Sequence, residues 1–597
     1  METEVRYLTE ANLNTVTVED VPVLTDEFLD ACDRHGLMYW MSFYGTYWVA
    51  PETNWPLDHD LLARCGVDVI KRHRNHPSVV LHSCVGEGMP SKDIYQTWRK
   101  DVLAQDTTRL FIPTIDVRVK APWIEQDLPT GLHDAGTFWE ISPPGYYQRV
   151  RDGKKWMFNT EVSIASLPPV NNLNKFIPDL LKQRGPGTET NLLDAAWAHH
   201  DASHYIKDFD PAIRLLYGPP HNVVDYCWKA QLLSAERHRA WSEAVNHRMW
   251  DITSGVWQWK LNSCWPSVGW QIYDWHLKPM VSSYYYKSAF EPLHIQLGPL
   301  DGTVTVVNRR LQPAPNLDVQ AKVFDSRMKL RWEKRTTSSV GANTYRDVFA
   351  IPPLADPTPV YFAKLRLSQD GKPVSENFYW LSSKPYADIH ADTNALPRGG
   401  FTLHSATNTA DFSVLAQLPP VRLDVSRQIE RRGHQRVAHV RLRNPTDQLA
   451  FFIQLVVTRG RQGDEVLPVF WDDNYFSLLP GESKEVDAVF AAEDIHGVTP
   501  VVEVGGWNIE TGYRCVALKP SKPTVKAGES FTVTARVTDT FLDGSRVTLL
   551  ADGQPTDSKW SWARGGRMAE VSFTLTLPNA GEHRLDVANR RITVKAE

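Results

Sequence analysis

Apolar residues recur at the three-to-four spacing of an amphipathic helix in four stretches: DEFLDACDRHG (26–36), LDHDLLARCGVDVIKRHRNHP (57–77), DIYQTWRKDVLAQD (93–106) and AERHRAWSEAVNHRMWDI (235–252). Between and after them lie short apolar runs of strand type: LMYWMSF (37–43), SVVLHSCVG (78–86), LFIPTI (110–115), WMFNTEV (156–162) and GVWQWKLN (255–262). Helix–strand alternation over residues 1–288 predicts a parallel α/β architecture, most simply a (β/α) barrel.

The rhythm changes after residue 289. Strand patterns come at short intervals between Gly and Pro turns, as in DGTVTVVNRR (301–310), HVRLRNPTDQLAFFIQLVVTRG (439–460) and ESFTVTARVTD (529–539). Three blocks, 289–385, 386–515 and 516–597, each have the size and strand rhythm of an antiparallel β-sandwich. Linkers are expected at SSK (382–384) and KPSKP (519–523). A chain of 597 residues is too long for one core, so several domains are required in any case.

Composition narrows the function classes. Net charge is −5, with 65 basic and 70 acidic residues and no long basic run, so nucleic acid is not an expected partner. No stretch approaches the length of a membrane-spanning helix, so no membrane partner is expected either. The start, METEVRYLTEANLN, is polar and lacks the features of a signal peptide, which leaves localisation open. Six cysteines without a CxxC spacing read as scattered core thiols, and no ligand cluster suggests a metal or organic cofactor. Tryptophan is concentrated early, with 16 of 22 before residue 289.

Two acids stand out. In RNHPSVVLHSCVGEGMPSKD (74–93), Glu87 follows a strand between two glycines, and Ser91 is placed to cap the next helix. In FNTEVSIASLPP (158–169), Glu161 closes a strand of buried type, where an unpaired charge is costly. Strand carboxyl ends form the active-site face of a (β/α) barrel. Two carboxyl groups there suit glycoside hydrolysis, in which one protonates the leaving oxygen and the other attacks the sugar carbon or activates water. Tryptophan rings fit the same reading, because sugars present apolar C–H faces. Either acid alone also has a structural reading, as a solvated or salt-bridged strand end.

These segments resemble glycoside hydrolase family 2, in the branch holding exo-β-D-glucosaminidases, β-mannosidases and endo-β-mannosidases. LTEANLN with DEFLDACDRHGLMYW resembles the early barrel, and RNHPSVVLHSCVGEG the acid/base segment. FNTEVSIASLPP resembles the nucleophile segment, and GVWQWKLNSCWPSVGWQIYDWHLKP the last barrel strand. GDEVLPVFWDDNYFSLLPGE with VEVGGWN resembles an immunoglobulin-like domain of these enzymes. The resemblance covers about residues 1 to 515. It implies a TIM barrel of (β/α)8 type lacking its first strand, then three immunoglobulin-like β-sandwiches. It further implies Glu87 as general acid/base, Glu161 as nucleophile, Trp259 lining the −1 sugar site, and Trp139 and Glu140 at the substrate mouth. The expected partner is a β-linked oligosaccharide or polysaccharide. Relatives of this kind are often secreted or periplasmic.

Four departures qualify the resemblance. Gly86 precedes the acid where most relatives have Asn. Met41 and Ser42 stand where an acidic residue usually follows GLMYW, which argues against a simple glucosaminidase. Lys260 and Ser263 replace Gln and Asp in the last strand, and an inward Lys260 would disfavour an aminated sugar. The segment resembling the barrel also starts late. Seven recognisable strands leave a gap, so further N-terminal domains or a partner chain are expected to fill it. The rival reading is a degenerate, glycan-binding relative, or a fragment of a longer enzyme. Outside the resemblance, Trp560 and Trp562 lie two apart on a strand, so their rings share a side as a sugar platform or as core plus edge.

Overall fold

The computed structural model describes residues 1–18, 24–42, 58–85, 91–114, 142–152, 158–183, 195–202, 209–386 and 409–597. The first part alternates helices and strands: α1 (Glu2–Glu10), β1 (Thr15–Thr17), α2 (Asp26–His35), β2 (Met38–Ser42), α3 (His59–His73), β3 (Val79–Val85), α4 (Lys92–Gln105), β4 (Leu110–Thr114), α5 (Pro143–Asp152) and β5 (Asn159–Val162). Three short helices, α6 (Val170–Leu173), α7 (Ala195–His199) and α8 (Asp210–Tyr217), lead to α9 (Val223–Asn246), β6 (Val256–Gln258) and α10 (Val281–Ala289).

Local chemistry sets several of these ends. In α2, Asp26 and Glu27 occupy the first turn and Arg34 and His35 the last, matching the helix dipole. Gly36 closes it with φ 70°, a left-handed value that favours glycine. The Asp58 side chain accepts the Leu61 N–H and starts α3. Ser91 stands at the N-cap of α4 but makes no side-chain cap bond.

Strands β1 to β4 form one parallel sheet in sequence order, and β5 pairs with β6, also in parallel. Side chains from both sheets meet in one interior. Trp40 of β2, Leu81 of β3, Ile112 of β4 and Trp257 of β6 form a cluster, joined by Phe158 just before β5. The Trp40 and Trp257 ring centres lie 4.5 Å apart. The opposite faces pack outward on helices: Met41 joins Leu29, Cys32 and Ile70, and Val162 joins Tyr146 and Trp241. Parallel strands covered by helices on one side and converging on an apolar interior on the other are the α/β arrangement that the alternation predicts.

The remainder is antiparallel. Strands within 293–382 make a three-strand and a four-strand sheet, those within 424–506 another such pair, and those within 514–596 a three-strand and a five-strand sheet. The strand Arg514–Pro520 pairs with Ser530–Thr538, so the last sandwich takes its first strand from two residues before the expected 515/516 boundary.

Helix α9 joins the two halves. All of its residues are buried although the sequence carries Lys229, Glu236, Arg237, Arg239 and Glu243 there. Buried charges need partners. Lys229 pairs with Asp225 at 3.1 Å, Arg239 donates to the Phe378 carbonyl at 2.6 Å, and Glu243 accepts from Asn377 at 2.6 Å and Tyr379 at 2.8 Å. The last sandwich docks on the same helix. Trp560 is buried and stacks flat on Trp228, with ring centres 4.8 Å apart and 15° between planes. Trp562 donates from its indole N–H to the Leu542 carbonyl at 2.8 Å. The pair therefore serves as core plus edge, and the sugar-platform reading is withdrawn, because the Trp560 face that a sugar would need is already stacked.

Candidate active site

Parallel pairing sets the candidate site. β5 and β6 run side by side with Val162 opposite Gln258, and the Trp259 N–H donates to the Val162 carbonyl at 2.8 Å. Glu161 in β5 and Trp259 just past β6 are thus brought together at the carboxyl ends of neighbouring strands. The stretches that follow stay joined: Ser166 N–H donates to the Gly269 carbonyl at 2.8 Å, and Val268 N–H to the His200 carbonyl at 2.9 Å.

Trp259 is half-buried and tilts against Trp270, with ring centres 4.9 Å apart. Lys260 follows it through a cis peptide bond and holds its ammonium 5.0 Å from the Trp259 ring centre. This is a cation–π contact, attractive by roughly 0.5–2 kcal/mol. The positive charge that replaces the usual Gln therefore lies over the candidate sugar-stacking ring. Ser263 is buried and accepts from Gln271 Nε2 at 3.1 Å, which makes it part of the support of this loop. Asn262 donates to Glu4 of α1 at 2.7 Å.

Glu87 follows the carboxyl end of β3 in sequence; it lies outside the described residues, as do Gly86, Trp139 and Glu140. Met41 is fully buried among the outer helices. Packing sets the apolar character of Met41; the missing acid at Ser42, the other residue of that departure, is untouched by this.

Trp265, which the sequence analysis did not single out, lies in the loop after β6. It is 37% exposed, stacks on His200 with ring centres 5.7 Å apart, and meets His199 edge-on at 5.2 Å. An aromatic beside a proline in SCWPSVGW was the available signal.

Among the described residues, Asp30, Asp33 and His76 form the one group with metal-ligand proximity. His76 Nδ1 lies 2.7 Å from Asp33, whose other oxygen accepts the Ser78 N–H at the amino end of β3. That is the end away from the candidate site. No helix of the described residues is long and apolar enough to cross a membrane.

Comparison with known proteins bears on the same segments. Residues 401–509 match the family model described as the exo-beta-D-glucosaminidase Ig-fold domain, and residues 303–384 the mannosidase Ig/CBM-like domain. An exo-beta-D-glucosaminidase of Streptomyces avermitilis is 30% identical over 549 residues, covering 85% of this chain and 57% of that protein. The solved exo-chitosanase of Amycolatopsis orientalis superposes with a TM-score of 0.75 at 27% identity, over 85% of this chain and 61% of that one. Over 85% of its length the chain is similar to members of the exo-β-D-glucosaminidase and β-mannosidase branch of glycoside hydrolase family 2. A mannosylglycoprotein endo-beta-mannosidase of Lilium longiflorum is 27% identical over 557 residues, covering 81% of this chain and 58% of its own. The chain thus spans a little over half the length of these relatives, and it matches members with different sugar specificities.

Proposed function

We propose that the chain carries the catalytic centre of a retaining β-glycosidase built on a (β/α)8-type barrel. The observation that carries the proposal is the pairing of β5 with β6. It joins the strand of Glu161 to Trp259 at the strand carboxyl ends, within a fold of this family. Glu161 attacks the anomeric carbon while Glu87 protonates the departing glycosidic oxygen. A covalent glycosyl-enzyme results, and Glu87 then takes a proton from the water that releases the sugar. Retention requires the two carboxyl groups to stand about 5–5.5 Å apart. Trp259 supports the apolar face of the −1 sugar, with Trp139 and Glu140 at the mouth. Chemistry of this type needs no cofactor. The shared interior of the two parallel sheets supports the barrel.

The Lys260 ammonium over Trp259 favours a neutral sugar, so β-mannosides are preferred to β-glucosaminides. The test is hydrolysis of aryl β-mannoside and aryl β-glucosaminide by the purified chain and its Glu161→Gln variant. Turnover of the mannoside by the parent and none by the variant, with an unchanged melting curve, supports the proposal. Equal turnover by both refutes it. Saturable glycan binding without turnover by either favours the degenerate, glycan-binding reading.

A further inference from the structure

We propose that the junction of the α/β part with the first two sandwiches holds a binding site for a carboxylate-bearing sugar, separate from the candidate catalytic centre. A cavity of about 320 Å³ lies there, at the lower end of the range for small-molecule pockets. Three units build it. Helices α9 and α10 supply Arg239, Tyr285 and Ser288. The strands Val360–Gln369 and Lys372–Ser382 supply Lys364, Arg366 and Glu376, and the 473–484 segment supplies Asp473, Phe476, Glu482 and Lys484. The cavity lies on the side of α10 away from β6. Tyr286 of α10 donates to Gln258 of β6 at 2.7 Å, and Ser288, two residues on, projects to the opposite side.

The charges in this cavity do not all find partners in the protein. Four cations line it against three carboxylates. Lys364 pairs with Glu376 at 3.2 Å and Glu482 at 3.7 Å, Arg366 pairs with the same Glu376, and Lys484 pairs with Asp473 at 2.8 Å. Arg239 is the cation left over: among the described residues it makes no ion pair. It is only 5% exposed, and a guanidinium so buried needs partners. Its Nη1 donates to the Phe378 carbonyl at 2.6 Å, and the Tyr379 ring covers its face at 4.1 Å. Glu236 and Glu243 act on it at longer range, without a hydrogen bond. Among the described residues no oxygen accepts from Nε or Nη2. That edge of an arginine takes a carboxylate through two parallel hydrogen bonds. The rest of the lining suits hydroxyls and a ring. The Ser288 hydroxyl has no partner among the described residues, and paired carboxylates and ammonium groups keep lone pairs and protons for sugar hydroxyls. Tyr285 and Phe476 add aromatic surface for C–H groups. The volume suits one sugar ring rather than a chain.

The probe is D-glucuronate, titrated calorimetrically into the full chain. D-glucose lacks the carboxylate and acetate lacks the ring, so each control carries half of the ligand. Saturable binding of glucuronate is expected, weaker by more than about tenfold for both controls. Ser288→Phe fills the cavity and removes no side-chain hydrogen bond of the described residues. It should weaken glucuronate binding more than about tenfold while leaving turnover of aryl glycosides unchanged. Arg239→Lys keeps the charge, loses the fork and should weaken it similarly. Should either variant melt early, hydrogen exchange of the parent chain decides: glucuronate is expected to slow exchange at 283–288 and 473–478 together. No saturation, a control that binds as tightly, parent-like binding by a folded Ser288→Phe chain, or unchanged exchange at both segments would overturn the site.

Discussion

Lys278 offers a quantitative test of how the last sandwich is held. Its ammonium is buried and lies 2.9 Å from Asp543 of that sandwich and 3.1 Å from Glu465 of the one before. Burial pulls the Lys278 pKa down, but the two carboxylates outweigh it and the group is held charged. Asp543 also accepts Gln454 at 2.7 Å. Lys278→Met keeps the volume and removes the charge, leaving two buried carboxylates without their shared cation. Removing one partner of a buried pair costs about 3–5 kcal/mol, most of it the penalty of the charge left behind. The cost should depend on pH with a definite sign. Burial pushes Glu465 up to about 7, against the pull of Lys278. A carboxyl whose folded pKa is raised contributes stability present below the ordinary value near 4.5, lost as pH rises through the folded value. In the variant, therefore, Glu465 takes a proton readily in mild acid and relieves the repulsion. Urea unfolding, followed by fluorescence of Trp560 and its neighbours, should show a loss of about 3–5 kcal/mol at pH 8, shrinking to about 1–3 kcal/mol at pH 5.5. A loss below about 1 kcal/mol at pH 8, or one that grows in acid, would refute the clamp.

Other consequences follow from the same contacts. Trp560→Ala removes a buried ring stacked on Trp228 and should cost about 3–5 kcal/mol by urea unfolding. His294 is buried; burial lowers its pKa, but the hydrogen bonds it donates to Glu243 and Glu291 carry it up to about 9. Its stabilising share is full below about 6.5 and lost as pH rises through about 9, so His294→Gln should flatten the fall in melting temperature between pH 7 and 9.5. Lys260→Gln removes the cation over Trp259 and should raise the kcat/KM ratio of aryl β-glucosaminide to aryl β-mannoside about tenfold, a shift of about 1.4 kcal/mol. An unchanged ratio would remove Lys260 from sugar selection.

The strand-and-helix alternation was readable because each element carries its own period and its own caps, as Asp58 and Gly36 illustrate. The character of α9 was not. The charged pattern SAERHRAWSE looks solvated until the partners 50 to 140 residues away, such as His294 and Asn377, are folded against Glu243. The orientation of Met41 was hidden for a related reason. Its position in the motif was correct, but only the packing of β2 against α2 and α3 reveals that it faces the helices. The strand of Trp560 ends at Ser561, short of Trp562, and sequence alone could not place Trp228 against Trp560. Around the candidate site, the motif placed Glu161 and Trp259 on separate strands 98 residues apart, by 259 − 161 from the sequence. The pairing that makes them neighbours is a property of the fold.

The central claim is that Glu161 forms a covalent bond to the sugar. Rapid quenching of the chain during turnover of an activated aryl β-glycoside, followed by peptide mass spectrometry, tests it directly. The account predicts one added glycosyl mass on the peptide spanning residues 158–169, localised to Glu161 and absent in Glu161→Gln. Product release with no adduct on that peptide, or an adduct on another carboxylate, would contradict it.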